Sequence, residues 1–265
     1  MLISAQNTLV KQVRKLHNSK ERHRQNLHLL EGTNLISVAL EVSYPLVTVL
    51  TTELWQKKNP FLWEKLQSQG KRVETVSEEV MTKLATTVNP DGVVATAKRD
   101  SVVSHPQQNL QLGLILDRIQ DPGNLGTIIR SSVAMGVDFI WLSRDCVDLD
   151  NPKVMRASVG EWFKIKAKVE DNLSLLITEY QEKGYQIIAT DLQGDIKPWQ
   201  VDLTAPTIIL MGNESRGLSA NLKNLATHKL KIPLFNDVES LNVAIASSLI
   251  LHERMRQIEV RGLRG

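Results

Sequence analysis

Residues 232–251 read IPLFNDVESLNVAIASSLIL, and the remainder of the chain is best interpreted outward from them. Lys229-Leu230-Lys231-Ile232 has the look of a strand ending, and Pro233 stops it, having no backbone N–H to donate. A polar loop, 235–239, follows. Ser240 is the predicted N-cap of a helix, since its hydroxyl can accept a bond from an orphan helical N–H. Ala244, Ala246, Ser247 and Ser248 are small enough to let another backbone approach closely, while Ile245 and Leu249 share one helix face. A strand end, a polar loop and a capped helix of small residues make a cradle for a small polar ligand. The same pattern also fits an ordinary buried helix of an α/β protein.

Moving upstream, Leu112–Asp117 is a short apolar run suited to a buried parallel strand. Asp121–Gly126 reads as a polar turn, 127–135 as a helix ended by Gly136, and 137–142 as a second strand. Further strands are predicted at 164–169, 186–190, 207–211 and 230–232. Helices are predicted from Pro152 to Val159, over 173–183 and over 218–226. Strands alternating with helices imply an α/β fold with a mostly parallel sheet covered on both faces. Ligands of such sheets sit beyond the carboxyl ends of the strands. Three polar loops fall there: 117–126, 212–217 and 233–242.

The first hundred residues alternate in the same way, on a smaller scale. Strands are predicted at 27–31, 46–50, 72–76 and 92–97, with helices at 34–40, at 78–86 and in the segment 55–69 after Pro60. Residues 1–24 are basic and amphipathic: Leu9, Val13 and Leu16 form a stripe with Lys11, Arg14, Lys15, Lys20, Arg22 and Arg24 around it. Such a cluster suits a polyanion, or simply a solvated helix face. Residues 101–111, rich in Ser, Pro and amides, form the predicted linker between a domain over 1–100 and one over 112–265.

Composition narrows the function classes. The 265 residues are 42% hydrophobic and 23% charged, with net charge +3, as in an ordinary globular protein. Cys146 is the single cysteine, which excludes an intrachain disulfide and any multi-cysteine zinc site. No apolar run is long enough to span a membrane, and residues 1–16 lack the apolar core of a signal peptide. A cytoplasmic location is expected.

The three loops carry Asn124, Gly126 and Arg130; then Gly212, Glu214 and Gly217; then Ser240 and Asn242. Arg130 is a fixed cation with a planar donor fork, suited to phosphate. Glu214 can orient Arg130 or receive a bond from a substrate hydroxyl, and a structural salt bridge would explain it equally. No Walker lysine and no G-x-G-x-x-G follows a strand, so a nicotinamide-dependent dehydrogenase is disfavoured. His17, His23 and His28 are too scattered to read as metal ligands.

Three segments together resemble the SpoU (TrmH-like) family of RNA ribose 2′-O-methyltransferases in the SPOUT superfamily. Asp121–Arg130 (DPGNLGTIIR) is similar to its N-x-G-x-x-x-R motif, and Met211–Leu218 (MGNESRGL) to its G-x-E-x-x-G motif. Ile232-Pro233-Leu234 with Glu239–Ala244 (ESLNVA) is similar to its I-P-M…S-L-N-V-x-x-A motif. The chain departs at Leu234, commonly methionine, and at Asn236, commonly glycine; Asn tolerates the left-handed conformation that glycine would supply. More loosely, Val10–Lys20 with Leu30-Glu31-Gly32 and Leu35 resembles the L30e-like substrate-binding domain fused to these enzymes.

The resemblance implies a deep trefoil knot over 207–253 and S-adenosylmethionine held at Gly212, Ile232, Leu241 and Thr190. It also implies catalysis involving Arg130, Asn124, Glu214, Ser240 and Asn242. A homodimer with a shared active site and an RNA substrate are expected, large-subunit ribosomal RNA ahead of transfer RNA, with no metal. A non-catalytic RNA-binding protein of the same fold is the competing expectation.

Overall fold

A computed structural model describes residues 1–99 and 110–262. Contacts divide the chain into two units: Met1–Val103 with Asp148–Phe163, and Ser104–Val147 with Lys164–Gly265. Residues 101–109 of the predicted linker lie outside the described residues. Residues 148–163, expected with the C-terminal domain, pack within the first unit instead.

In the first unit, α1 (Thr8–Lys15) and α2 (Ser19–Gln25) are capped by Asn7 and Asn18. They precede β1 (Leu27–Glu31), α3 (Thr33–Glu41), β2 (Leu46–Thr51), α4 (Glu53–Lys58) and α5 (Pro60–Gln69). Then come β3 (Val73–Thr75), α6 (Glu78–Leu84) and β4 (Val93–Lys98). The helix expected after Pro60 is α5, and α4 precedes it as a separate helix, because Asn59, just before Pro60, leaves the helical region at φ −129°, as a residue before proline tends to do. The sheet order is β1-β4-β2-β3, antiparallel except for β2 beside β3. Its core gathers Val10, Val13 and Leu16 with Leu29, Leu50, Val80, Met81 and Val94.

Of the next two helices, α7 (Pro122–Ala134) and α8 (Pro152–Ala157), α8 belongs to this first unit. A buried ion network holds the inserted segment there. Arg22, expected on the solvated basic face, is 1% exposed. Its Nη2 lies 2.9 Å from Asp148 and its Nε 3.2 Å from Asp150. Arg99 Nε is 2.7 Å from Asp150, and Ser19 also bonds Asp148. Nearby, Arg156 of α8 reaches buried Glu31 at 2.7 Å, and Thr86 and Thr87 donate to the same carboxylate. His23, Asp148 and Asp150 could converge on a cation, but Arg22 and Arg99 already supply positive charge to both carboxylates.

The second unit is a six-stranded sheet in the order β10-β8-β9-β5-β6-β7, every pair parallel. Its strands are β5 (Leu112–Leu116), β6 (Phe139–Leu142), β7 (Ala167–Val169), β8 (Gln186–Thr190), β9 (Thr207–Met211) and β10 (His228–Leu230). β5, β6 and β9 are buried along their whole length, as strands covered on both faces must be. One core joins Ile115, Phe139, Trp141, Ile187, Ile208 and Leu210 to the buried sides of α9 (Leu173–Glu182) and α10 (Ala220–Asn224). The final helix, α11 (Val243–Val260), packs on α7. β10 ends at Leu230, short of the predicted 232.

The stability of the first unit is tied to pH through Asp150. Burial raises its pKa, but contacts with His28 and Asp148 and the charges of Arg22 and Arg99 outweigh that, so the folded-state pKa is lowered. Such a group contributes stability above its unfolded value, about 3.9, and the contribution is lost as pH falls through the folded value. Asp150→Asn removes one of the two carboxylates that balance buried Arg22 and the one that balances Arg99, and is expected to cost about 3 kcal/mol at pH 7. In urea titrations the deficit should shrink steadily below about pH 4; an equal deficit at pH 7 and pH 3 would contradict this role.

Candidate active site

The sheet topology assembles the site. Leu116 at the end of β5 pairs with Met211 at the end of β9, and Thr190 at the end of β8 pairs with Leu230 at the end of β10. Because all the strands are parallel, the segments that follow these four leave from one end of the sheet. Gly212, Glu214, Ile232 and Leu241 lie on them, together with Asp117.

Asp121 caps α7, its Oδ1 accepting from Asn124 N at 2.8 Å, and Pro122 occupies the first turn. Proline suits that position, where no N–H is needed. The predicted polar turn 121–126 is therefore the opening of α7. Asn124 and Gly126 sit on a rigid helix rather than a loop.

From there Asn124 uses both ends of its amide. Its Nδ2 donates to Glu214 Oε1 at 2.9 Å, and its Oδ1 accepts from Asn242 Nδ2 at 2.8 Å. Asn242 in turn caps α11, its Oδ1 accepting from Ala244 N at 2.9 Å and Ile245 N at 3.4 Å. The N-cap is thus Asn242, not Ser240, which stays exposed in the preceding loop. An amide can cap through its oxygen while donating through its nitrogen, which Ser240 two residues upstream cannot do for a helix beginning at 243.

Glu214 is presented by a closed turn. Asn213 N donates to Gly217 O at 3.1 Å, Gly217 N returns to Asn213 O at 2.9 Å, and Asn213 Oδ1 accepts from Ser215 N and Arg216 N at 3.0 Å. The turn folds tightly over the strand end. A Cβ on Gly212 would lie 2.2 Å from Leu218 N, so only glycine fits.

Arg130 stands apart. Six residues beyond Asn124, it points about 120° around α7; it is exposed and has no hydrogen-bond or ion-pair partner among the described residues. Of the alternatives open to Glu214, a bond to Arg130 or to another cation is not found among the described residues; Glu214 takes its bonds from Asn124 and from Asn213, at 3.3 Å. Thr190 is half-buried, its Oγ1 donating to Leu210 O at 3.0 Å, and Ile232 and Leu241 are half-buried apolar side chains. Asn236 takes the left-handed conformation expected of it, at φ +56°.

Small residues do bring α11 close to a neighbour, and that neighbour is α7: Ser248 Oγ lies 2.8 Å from Ser131 Oγ. Ile245 and Leu249 share a face as expected, but it is the outer one, 53% and 46% exposed. Sequence reasoning misses Asp117 and Arg118. An acidic residue ending a fully apolar strand is the available signal. Asp117 is 4% exposed and accepts from Ser219 N at 2.8 Å.

Comparison with known proteins gives the family. The SpoU rRNA methylase family model matches residues 111–252. The chain belongs to the SpoU rRNA methylase family. A model of an MRM3-like substrate-binding domain matches residues 7–95. An uncharacterised tRNA/rRNA methyltransferase of Synechocystis is 46% identical over 97% of this chain and 93% of its own. A Bacillus subtilis 23S rRNA guanosine 2′-O-methyltransferase is 31% identical, covering 94% and 96%. The crystal structure of an AdoMet-bound rRNA methyltransferase from Sinorhizobium meliloti has a TM-score of 0.82 at 30% identity, covering 97% of each chain.

The two roles of Asn242 can be separated. Asn242→Ala removes the cap and should destabilise the protein by about 1 kcal/mol. Asn242→Ser keeps a capping acceptor for the first N–H groups of α11 but is too short to reach Asn124, so its thermal midpoint should stay near wild type. Equal destabilisation by both variants would show that the Asn124 bond, not the cap, dominates.

Proposed function

We propose that this protein transfers a methyl group from S-adenosylmethionine to a ribose 2′-hydroxyl of large-subunit ribosomal RNA. The observation that carries this reading is the Asn242–Asn124–Glu214 hydrogen-bond chain at the carboxyl end of the parallel sheet. It joins one residue from each of the three segments that mark the family.

The site fits the cofactor. Gly212 brings backbone to the strand end without side-chain obstruction, and Ile232 and Leu241, on the segment that leaves the same end of the sheet after β10, offer half-buried apolar surface, the mixture of apolar walls and a few polar groups that small-molecule sites use. We assign cofactor binding to Gly212, Ile232 and Leu241 with Thr190. When bound, S-adenosylmethionine supplies an electrophilic methyl group.

The chain's own task is to hold the ribose and manage charge on its 2′-oxygen. Arg130 cannot act as a base, because a guanidinium keeps its proton. As an exposed cation with no partner among the described residues, it binds the adjacent phosphate or stabilises negative charge growing on the oxygen. Glu214, oriented by Asn124, accepts a bond from a ribose hydroxyl, and Ser240 and Asn242 shape the loop over it.

Arg130 points away from Glu214 on its own α7, and Ile245 and Leu249 leave an apolar strip uncovered on the neighbouring α11. Both features are explained by a homodimer in which each site takes Arg130 from the partner. The N-terminal basic helices recognise folded RNA by shape and phosphate contact. We further assign the protein to the cytoplasm, with a trefoil knot over 207–253; among the described residues no helix is long and apolar enough to cross a membrane.

Methyl-labelled S-adenosylmethionine, incubated with ribosomal and transfer RNA from cells lacking the protein, tests the reading. Label should enter large-subunit RNA as 2′-O-methylribose. Arg130→Ala should lower kcat on the order of 10²-fold with cofactor affinity unchanged, and mixing it with Glu214→Ala should restore part of the activity through hybrid dimers. Label only in transfer RNA would overturn the substrate. Cofactor binding without transfer to any RNA would overturn the activity.

A further inference from the structure

The turn that presents Glu214 is held from outside by two residues with no assigned role. Asp117 and Arg118 follow β5 immediately. Asp117 accepts from Arg118 through both oxygens, from Nε at 3.3 Å and Nη2 at 3.2 Å, and from Ser219 N at 2.8 Å. Arg118 Nη2 also donates to Gly217 O at 3.2 Å, and Arg118 O accepts from Asn213 Nδ2 at 2.8 Å. The two residues therefore grip both hinges of the turn, Asn213 and Gly217, and its exit at Ser219. Asn213 Nδ2 in turn lies 3.3 Å from Glu214 Oε2.

Arg118 does this from an unfavourable backbone conformation. Its φ is +59°, a region costly for a residue with a Cβ and natural for glycine. Strain of this kind persists where surrounding structure over-determines it, and it clusters at functional sites. Here the backbone is held by Arg118 N donating to Ser143 Oγ at 2.9 Å and by the bond from Asn213 to Arg118 O. Glycine would relieve the strain and would forfeit the guanidinium contacts to Asp117 and Gly217. The left-handed geometry is what allows the Arg118 carbonyl and side chain to reach the turn together.

We propose that Asp117 and Arg118 are positioning residues: a clamp that fixes the 212–217 turn so that Glu214 stays aligned with Asn124 and the backbone at Gly212 keeps the shape the cofactor needs. Neither residue is assigned contact with the reacting atoms. This inference rests on the methyltransferase reading for its catalytic consequence and on the hydrogen-bond geometry alone for its structural one.

Arg118→Gly in the full-length protein is the deciding variant, because it relieves the positive φ while removing the guanidinium contacts that tie Asp117 to Gly217. Amide hydrogen exchange across 213–219 should accelerate at least about tenfold without cofactor, while the thermal midpoint holds or rises. In the transfer assay KM for S-adenosylmethionine should rise on the order of tenfold, with kcat changed far less. Asp117→Asn keeps an acceptor for Ser219 N and weakens the charged pair, so it should give a smaller shift in the same direction. Arg118→Lys, which keeps the charge but not the fork, should rescue only partially.

Unchanged exchange across the turn in Arg118→Gly would overturn the clamp whether or not the protein is a methyltransferase. Faster exchange with unchanged KM would overturn its catalytic consequence and leave a purely structural brace. Faster exchange in a protein that binds no S-adenosylmethionine would confirm the clamp and reject the function on which its kinetic effect depends.

Discussion

The site depends on a single side-chain amide. Asn124 donates to Glu214 and accepts from Asn242, so a helix start, a strand-end turn and a second helix cap are locked to one another. An amide with both ends occupied has one orientation; flipping it would set donor against donor and leave Glu214 without its bond. The two partners lie 90 and 118 residues from Asn124 along the chain. Only the tertiary fold brings them together, and correct folding is therefore a condition for the site to exist.

What makes that meeting possible is the parallel sheet. With β10, β8, β9 and β5 side by side in one direction, their following segments crowd one end, where free backbone groups and short polar side chains can surround a ligand. The crowding needs unusual backbone. Gly212 admits a neighbour where no Cβ fits, while Arg118, Asn236 and Asp237 all have positive φ. Three non-glycine residues in that region around one sheet end are a concentration of local cost that the remaining packing sustains.

Much of this is legible in the chain. The central strands β5, β6 and β9 are apolar almost throughout, and the three segments carrying Asn124, Glu214 and Asn242 stand out without knowledge of their contacts. The misreadings have specific causes. Ser240 and Asn242 are both good capping residues, and only the start of α11 at Val243 decides between them. Arg22 looks like any exposed cation in a basic helix; its burial depends on Asp148 and Asp150, more than a hundred residues away. Residues 148–163 follow β6 in sequence order, and no periodicity indicates that they pack with the first unit. Arg118 escapes notice because φ is not readable from residue type when the residue is not glycine. Ile245 and Leu249 do share one face, but amphipathicity does not say whether an apolar face meets the same chain or another.

A crystal structure with S-adenosylmethionine would show where the cofactor sits relative to the three side chains. The account requires the cofactor against the backbone at Gly212, Ile232 and Leu241, with the Asn242–Asn124–Glu214 chain intact beside it and Arg130 of a partner subunit facing its methyl group. A cofactor bound elsewhere, or the three side chains drawn apart on binding, would contradict it.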